Sequence, residues 1–260
     1  MLKREEVFRL DGKGAIVTGA GKGLGRVMAE GLALFGSQVV IADIDAENAE
    51  KSARELEKYG VKTLAFPVDV TSKESVEMMV QEVIRKWGKI DILVNCAGIT
   101  RRGCAEDLPE KDWDDVIAVN LKGTFLVSQA VGRKMMERKY GRIVNIASVM
   151  GQRGLFHPLD YATSYCASKG GVIQLTRTLA AEWAKYNILV NAIAPTYFMT
   201  DMTRPLLENQ EFSEYLKWKI PLGRPGRAEE LIGPVVFLAS DASSMITGQI
   251  LNIDGGWTAI

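Results

Sequence analysis

Short apolar runs alternate with longer amphipathic stretches along almost all of this 260-residue chain. "GAIVTG" (14–19), "QVVIAD" (38–43), "KTLAFPVDV" (62–70), "DILVNCAG" (91–98), "GRIVNIAS" (141–148), "ILVNAIAP" (188–195) and "GQILNIDGG" (248–256) each read as a strand. Their apolar residues are near-continuous, the pattern of strands covered on both faces in a parallel sheet. Between them, 25–36, 45–60, the segment from 71 to Trp87, 112–139, 164–186 and 228–240 carry helical patterns, several stopped by a glycine such as Gly36, Gly60 or Gly88. "TSKE" at 71–74 predicts a capping box in which Thr71 and Glu74 satisfy each other's end amides. Strict β–α alternation, without repeat or linker, predicts an α/β fold with a doubly wound parallel sheet and helices on both faces, one domain over 1–260. Only 196–227 lacks a clear period; it is too long for a plain connection and is expected to be a substrate flap with short helices of its own.

Composition narrows the class further. Hydrophobic residues make up 47% and charged residues 25%, ordinary for a globular protein. The 32 basic and 32 acidic residues cancel, and the basic ones are scattered, so charge gives no case for nucleic acid or an anionic membrane as partner. Three cysteines (Cys96, Cys104, Cys166) and the single His157 show no metal-ligand spacing, so no metal site is expected. "MLKREEVFRLDGKG" lacks the apolar core of about 7–15 residues of a secretory signal, and no apolar run approaches the roughly 18 residues that span a bilayer. A reducing cytoplasm is the expected location.

"VTGAGKGLGR" joins the first strand to the first helix. Bare amides at a helix start bind anions, and glycine lets a phosphate approach the backbone. The spacing is T-G-x-x-x-G-x-G (Gly19, Gly23, Gly25), neither the common dinucleotide fingerprint nor the ATP-type loop, and taken alone it fits a tight turn equally well. Asp43 tips the balance, since it ends the second strand where a carboxylate accepts hydrogen bonds from an adenosine ribose; Asp45 better suits the cap of the next helix. A 2′-phosphate about 4 Å from that carboxylate meets a repulsion of order 4 kcal/mol at an effective dielectric of 20. Asp43 therefore favours NAD, while Lys22 pulls toward NADP.

The glycine loop, "NCAG" (95–98), Ser148 and Y-x-x-x-K at Tyr165–Lys169 follow in order, and the chain resembles the short-chain dehydrogenase/reductase family from about residue 10 to 258. It is similar also in "VNLKGTF" around Asn120, "VNAIAP" and "DGG" (254–256). The resemblance implies a Rossmann-type fold, NAD(H) or NADP(H), and a homotetramer or homodimer packed through the helices near 112–139 and 164–186. It implies Tyr165 as acid/base, Lys169 as its partner one helical turn on, Ser148 on the substrate oxygen, and Asn120 holding a proton-relaying water. Lys169 and a positive nicotinamide are expected to lower the Tyr165 pKa from its ordinary value near 10. Gly19, Lys22, Gly23, Leu24, Gly25, Asp43, Ile44, Asp69, Val70, Asn95, Ala97, Gly98, Pro195, Phe198 and Thr200 are the implied cofactor contacts, with Tyr165 and Lys169. Two departures stand out: Ser148 and Tyr165 are 17 apart, longer than usual in the family, and Thr196 replaces the family's glycine after Pro195.

The Arg101-Arg102 pair and "IPLGRPGRAEELIGPVVFLAS" resemble the gluconate 5-dehydrogenase and deoxygluconate dehydrogenase branch. Either arginine could grip a carboxylate bidentately, or both could be solvated on a loop. Gln152 and Tyr161, with Arg153 and His157, are further candidates for the substrate end; Tyr161 reads equally as a packing aromatic. The expected reaction is hydride transfer between NAD(H) and a secondary alcohol or ketone of a sugar acid. A polyol or sugar dehydrogenase, a 3-oxoacyl-thioester reductase and a catalytically silent NAD-binding module are the alternatives.

Overall fold

The computed structural model describes residues 6–154, 157 and 159–260. Among these, β1 (Gly14–Thr18), β2 (Gln38–Asp43), β3 (Thr63–Pro67), β4 (Ile92–Asn95), β5 (Gly141–Ile146), β6 (Ile188–Pro195) and β7 (Ile250–Ile253) form one seven-stranded sheet. The order is β3-β2-β1-β4-β5-β6-β7, and every pairing is parallel. The expected α/β, doubly wound architecture is present, and the strand order reverses between β1 and β4. In such sheets a ligand crevice opens at that switch point, beyond the carboxyl ends of the strands.

Both faces of the sheet are buried because neighbouring strand residues point to opposite sides. Val17, Ile41, Val94 and Val144 pack in one cluster with Met28 and Leu32 of α1 (Gly23–Leu34), Ala49 of α2 (Ala46–Leu56) and Val235 of α9 (Ile232–Ala239). Their neighbours Ile16, Val40, Leu93 and Ile143 pack in the other with Met79 of α3 (Lys73–Trp87), Val131 of α5 (Thr124–Arg138) and Leu179 of α6 (Thr163–Trp183). This two-sided burial is why the strands lack alternation.

Three local expectations are corrected. The cap of α3 is Ser72, whose hydroxyl accepts from the Ser75 amide; Thr71 instead donates its amide and hydroxyl to Asp69, so no Thr71–Glu74 box forms. The single helix expected over 112–139 is α4 (Glu110–Ile117) and α5 joined by a wide π-type turn at Ala118–Gly123. The 3-10 turn Ala228–Leu231 precedes α9, so 228–240 is not one regular helix. Segment 196–227 does carry short helices, α7 (Arg204–Leu207) and α8 (Gln210–Lys219). They seat Leu206, Leu207, Phe212 and Leu216 with Val149, Met150, Tyr197 and Trp257 in a separate cluster beside Tyr165. Leu155, Phe156 and Pro158 of the longer loop before Tyr165, and 1–5 of the N-terminal stretch, lie outside the described residues.

Candidate active site

A cavity of about 420 Å³ opens at the carboxyl ends of the strands, within the range of small-molecule sites. Its wall is assembled from the segments that follow β1, β2, β3, β4, β5 and β6. On the glycine side, Gly19 has φ +65°, and a Cβ there would lie 2.7 Å from the Ala97 Cα; a Cβ on Gly25 would lie 2.2 Å from the Gly19 carbonyl oxygen. Backbone thus packs on backbone, which only glycine permits. The Thr18 hydroxyl, missed by motif reading, accepts from the amides of Cys96 (3.1 Å) and Ala97 (3.2 Å) and ties the "NCAG" turn to β1. Helix α1 starts at Gly23 without a side-chain cap and with no acidic residue in its first turn, so its amides are left for an anion.

Asp43 sits where a ribose reader belongs. Its Oδ2 accepts from the Gly21 amide (2.8 Å) and its Oδ1 from the Asp45 amide (3.1 Å), which fixes the carboxylate and leaves each oxygen a further lone pair. Asp45 caps α2 through the Asn48 amide, as expected. Ile44, Asp69 and Val70 line the same end of the cavity, with Lys22, Leu24, Ala97 and Gly98 further along. Asn95 is the exception among the expected contacts: its amide nitrogen turns inward to Ser128 Oγ and Asn145 Oδ1, both at 2.9 Å, and the residue is 3% exposed. It braces β4 against β5 and does not line the wall. A glycine cradle, an open anion-binding helix start and a fixed carboxylate together fit a dinucleotide.

At the other end, Tyr165 and Lys169 project from adjacent turns of α6, and the Lys169 ammonium lies 5.6 Å from the Tyr165 ring centroid. Lys169 Nζ donates to the Ile146 carbonyl at 2.6 Å. Ser148 hydrogen-bonds Tyr165, and its Oγ also accepts from the Met150 amide at 3.1 Å. Burial pushes the Tyr165 phenol up to about 12, against the hydrogen bond from Ser148, and pushes the Lys169 ammonium down to about 8. In the chain alone, taking the phenolate out of water outweighs the help from Ser148; the expected lowering concerns the tyrosine beside a bound, positively charged nicotinamide. Asn120 sits in the π-type turn, completely buried; its Oδ1 accepts from the Ile99 amide (2.8 Å), and its Nδ2 donates to the Ile99 carbonyl (3.0 Å) and Ser168 Oγ (3.0 Å). The wide turn is what presents this side chain to the loop after β4.

Pro195, Phe198 and Thr200 line the cavity, as expected, together with Thr196, Met202 and Thr203, which the irregular pattern of 196–227 did not single out. The substrate candidates separate. Arg101 faces Asp112 (3.4 Å) and Asp115 (4.0 Å) of α4. Gln152 donates to Asn252 Oδ1 of β7 (2.6 Å) and Arg153 to the Trp257 and Ile260 carbonyls, and neither lines the cavity. His157 is buried against the rings of Phe212 and Tyr215. Tyr161 precedes α6, and its carbonyl accepts from the Gly103 amide at 3.0 Å. Arg102 pairs with Asp160 at 2.6 Å, and the Tyr197 hydroxyl donates to the other oxygen of Asp160. Asp160 and Tyr197 are thus additional site-flanking residues. Among the described residues no group of three or more His, Cys, Asp or Glu is placed to hold a metal, and no helix is long and apolar enough to cross a membrane.

Comparison with known proteins agrees with this geometry. The family model described as enoyl-(acyl carrier protein) reductase matches residues 19–258. The 5-keto-D-gluconate 5-reductase of Escherichia coli K12 is 45% identical over 251 residues, covering 96% of this chain and 97% of that protein. The NAD-dependent glycerol dehydrogenase of Listeria innocua is 44% identical over 251 residues, covering 96% of each. The crystal structure of a gluconate 5-dehydrogenase from Burkholderia cenocepacia J2315, in complex with NADP and tartrate, superposes with a TM-score of 0.93 at 41% identity over 98% of both chains. With the glycine cradle, Tyr165 and Lys169 around one cavity and Ser148 hydrogen-bonded to Tyr165, the chain belongs to the short-chain dehydrogenase/reductase family, the NAD(P)-dependent oxidoreductases.

Proposed function

We propose that this oxidoreductase interconverts the secondary alcohol and ketone of a sugar acid of the gluconate or deoxy-ketogluconate type. NAD(H) is the proposed cofactor. The observation that carries the chemistry is Tyr165 and Lys169 on one cavity wall, with Ser148 hydrogen-bonded to the tyrosine. Bound nicotinamide supplies the hydride or accepts it. Ser148 holds the reacting oxygen, and Tyr165 gives or takes its proton. With a phenol near 12, Tyr165 keeps its proton at neutral pH and is ready as the acid for ketone reduction. As the base for alcohol oxidation it gains with rising pH. Lys169 holds the tyrosine's surroundings positive when protonated, and Asn120 fixes the loop at Ile99 across from it. Gly98, beside both, keeps the backbone low: a Cβ there would stand 3.7 Å from the Lys169 ammonium.

The adenosine end is assigned to Asp43, Ile44, Asp69 and Val70, and the pyrophosphate to the start of α1 with Lys22. NAD is preferred because Asp43 occupies the ribose end with a fixed negative charge. Arg102, not Arg101, supports the acid, because it alone of the pair faces the segment leading into α6. The 196–227 flap is assigned to cover the substrate, and a homotetramer or homodimer through α4–α5 and α6 accords with the half-exposed Trp113 and Phe125 on those helices. Free Cys96, Cys104 and Cys166 accord with a cytoplasmic location.

Initial rates with NAD and NADP against gluconate, deoxygluconates, hexitols, pentitols and neutral sugars test the reading. A sugar acid with NAD should give the highest kcat/KM, with Arg102→Ala raising KM and Arg101→Ala close to the parent. Uncharged polyols as the best substrates, with both variants like the parent, would leave only the hydride chemistry standing.

A further inference from the structure

We propose that Asp160 is a positioning residue for the acid end of the substrate, acting through Arg102 and itself held by Tyr197. This rests on the sugar-acid reading above. Asp160 is 4% exposed and Tyr197 6%, while the Arg102 side chain keeps 33% of its surface. Asp160 Oδ1 takes Arg102 Nε at 2.6 Å, and Oδ2 takes the Tyr197 hydroxyl. Among the described residues Arg102 has no other polar partner, so its two terminal nitrogens are left as a parallel pair of donors. A guanidinium presents its nitrogens in a rigid fork, and fixing Nε fixes where the remaining edge points. That edge has the spacing for a carboxylate.

The loop bearing Arg102 is anchored as well. The Gly103 amide donates to the Tyr161 carbonyl at 3.0 Å, and Gly103 and Ala162 form a parallel β-bridge immediately before α6. One carboxylate therefore joins the segments after β4, before α6 and after β6, three walls around Tyr165. Asp160 lies in the stretch that lengthens the Ser148–Tyr165 interval to 17 residues, so the extra chain supplies the anchor.

Charge and position make opposite demands here, which lets an experiment decide. A buried anion beside Arg102 weakens its pull on an acid, so charge alone says that Asp160→Asn lowers KM. Position says that KM rises, because an Asn that still accepts from Tyr197 turns its amide donor toward Arg102 Nε and releases the guanidinium. Tyr197→Phe changes no charge and removes only the hold on Asp160.

The test measures gluconate and sorbitol kinetics for the parent, Asp160→Asn and Tyr197→Phe, with the cofactor KM of each. The gluconate KM is expected to rise about tenfold in Asp160→Asn and about threefold in Tyr197→Phe, the scale of a lost charge-assisted bond and of a loosened one. The gluconate kcat and the cofactor KM should stay within about twofold, since reacting groups and cradle are untouched. A parent that turns over sorbitol better than gluconate sinks the sugar-acid reading, and this proposal with it. A parent that prefers gluconate while both variants keep its KM, or while Asp160→Asn lowers it, overturns the positioning role alone. Equal losses for gluconate, sorbitol and cofactor would show a purely structural role and overturn it too.

Discussion

At Lys169 the local environment and the chemistry conflict. Burial lowers its pKa from 10.5 to about 8, so near neutrality the folded chain holds an ammonium that its surroundings disfavour. The unfolded chain binds more protons than the folded one between about pH 8 and 10.5, so this residue's cost to stability is full below pH 8 and fades as pH rises through that window. Lys169→Met should therefore melt at a higher temperature than the parent at pH 7, with the gap closing by pH 10, while turnover is lost. Thermal unfolding across pH checks it, and a variant less stable than the parent at pH 7 would contradict the sign. Tyr165 gives a second pH signature. Because its phenol stands near 12, alcohol oxidation should climb from pH 7 to 10 while ketone reduction stays flat or falls, as steady-state kcat profiles in both directions would show. The sequence makes Tyr165, Lys169, Ser148 and Asn120 legible because they stand in fixed intervals. It hides Asp160, whose partners Arg102 and Tyr197 lie 58 and 37 residues away and meet only through the fold. It hides the inward turn of Asn95 as well, because a motif letter does not say which way a side chain points.

Among the elements, strands and most helices were legible from the apolar pattern, since the burial of both sheet faces writes itself into every strand. The π-type turn at Ala118–Gly123 was not. One residue more per turn leaves the spacing of apolar positions nearly helical, and only the lodging of Asn120 against Ile99 reveals it. Thr71 likewise matched a capping pattern that Ser72 fills, because a run of hydroxyl residues offers several caps and Asp69 claims the first. The flap's helices were expected, but what holds them was not visible from period. It is an aromatic core: Phe212, fully buried, meets His157 and Tyr197 with ring centroids 5.0 and 5.2 Å apart. Phe212→Ala should cost about 3–5 kcal/mol of the packing that seats α8, as for other buried aromatics. The expected result is a lower melting temperature, a higher substrate KM, and a cofactor KM close to the parent's, since that ring does not border the glycine cradle. Chemical denaturation beside kinetics would separate these effects.

For the molecule as a whole, binding of the cofactor to the folded chain should stabilise it by mass action, about 2.7 kcal/mol at one hundred times Kd. With Asp43 in place, NAD should raise the melting temperature more than NADP at equal concentration, and Asp43→Asn should narrow the difference. Equal shifts in the parent would show that Lys22 governs the ribose end instead. The two rims of the sheet have different work. At the amino rim, Asp91 takes the Gly14 amide and Arg138, each at 2.9 Å, and Lys89 at 3.2 Å; burial alone would raise its carboxyl, but these partners hold it below the usual range. At the carboxyl rim, the segments after β1 to β6 line one cavity, with Asp43, Asp69 and Val70 toward one end and Tyr165 and Lys169 toward the other. The two ends are lined by different stretches of chain. A change in the segment before Tyr165, or at Arg102, can therefore reshape one end while the glycine turn and Asp43 at the other keep their contacts.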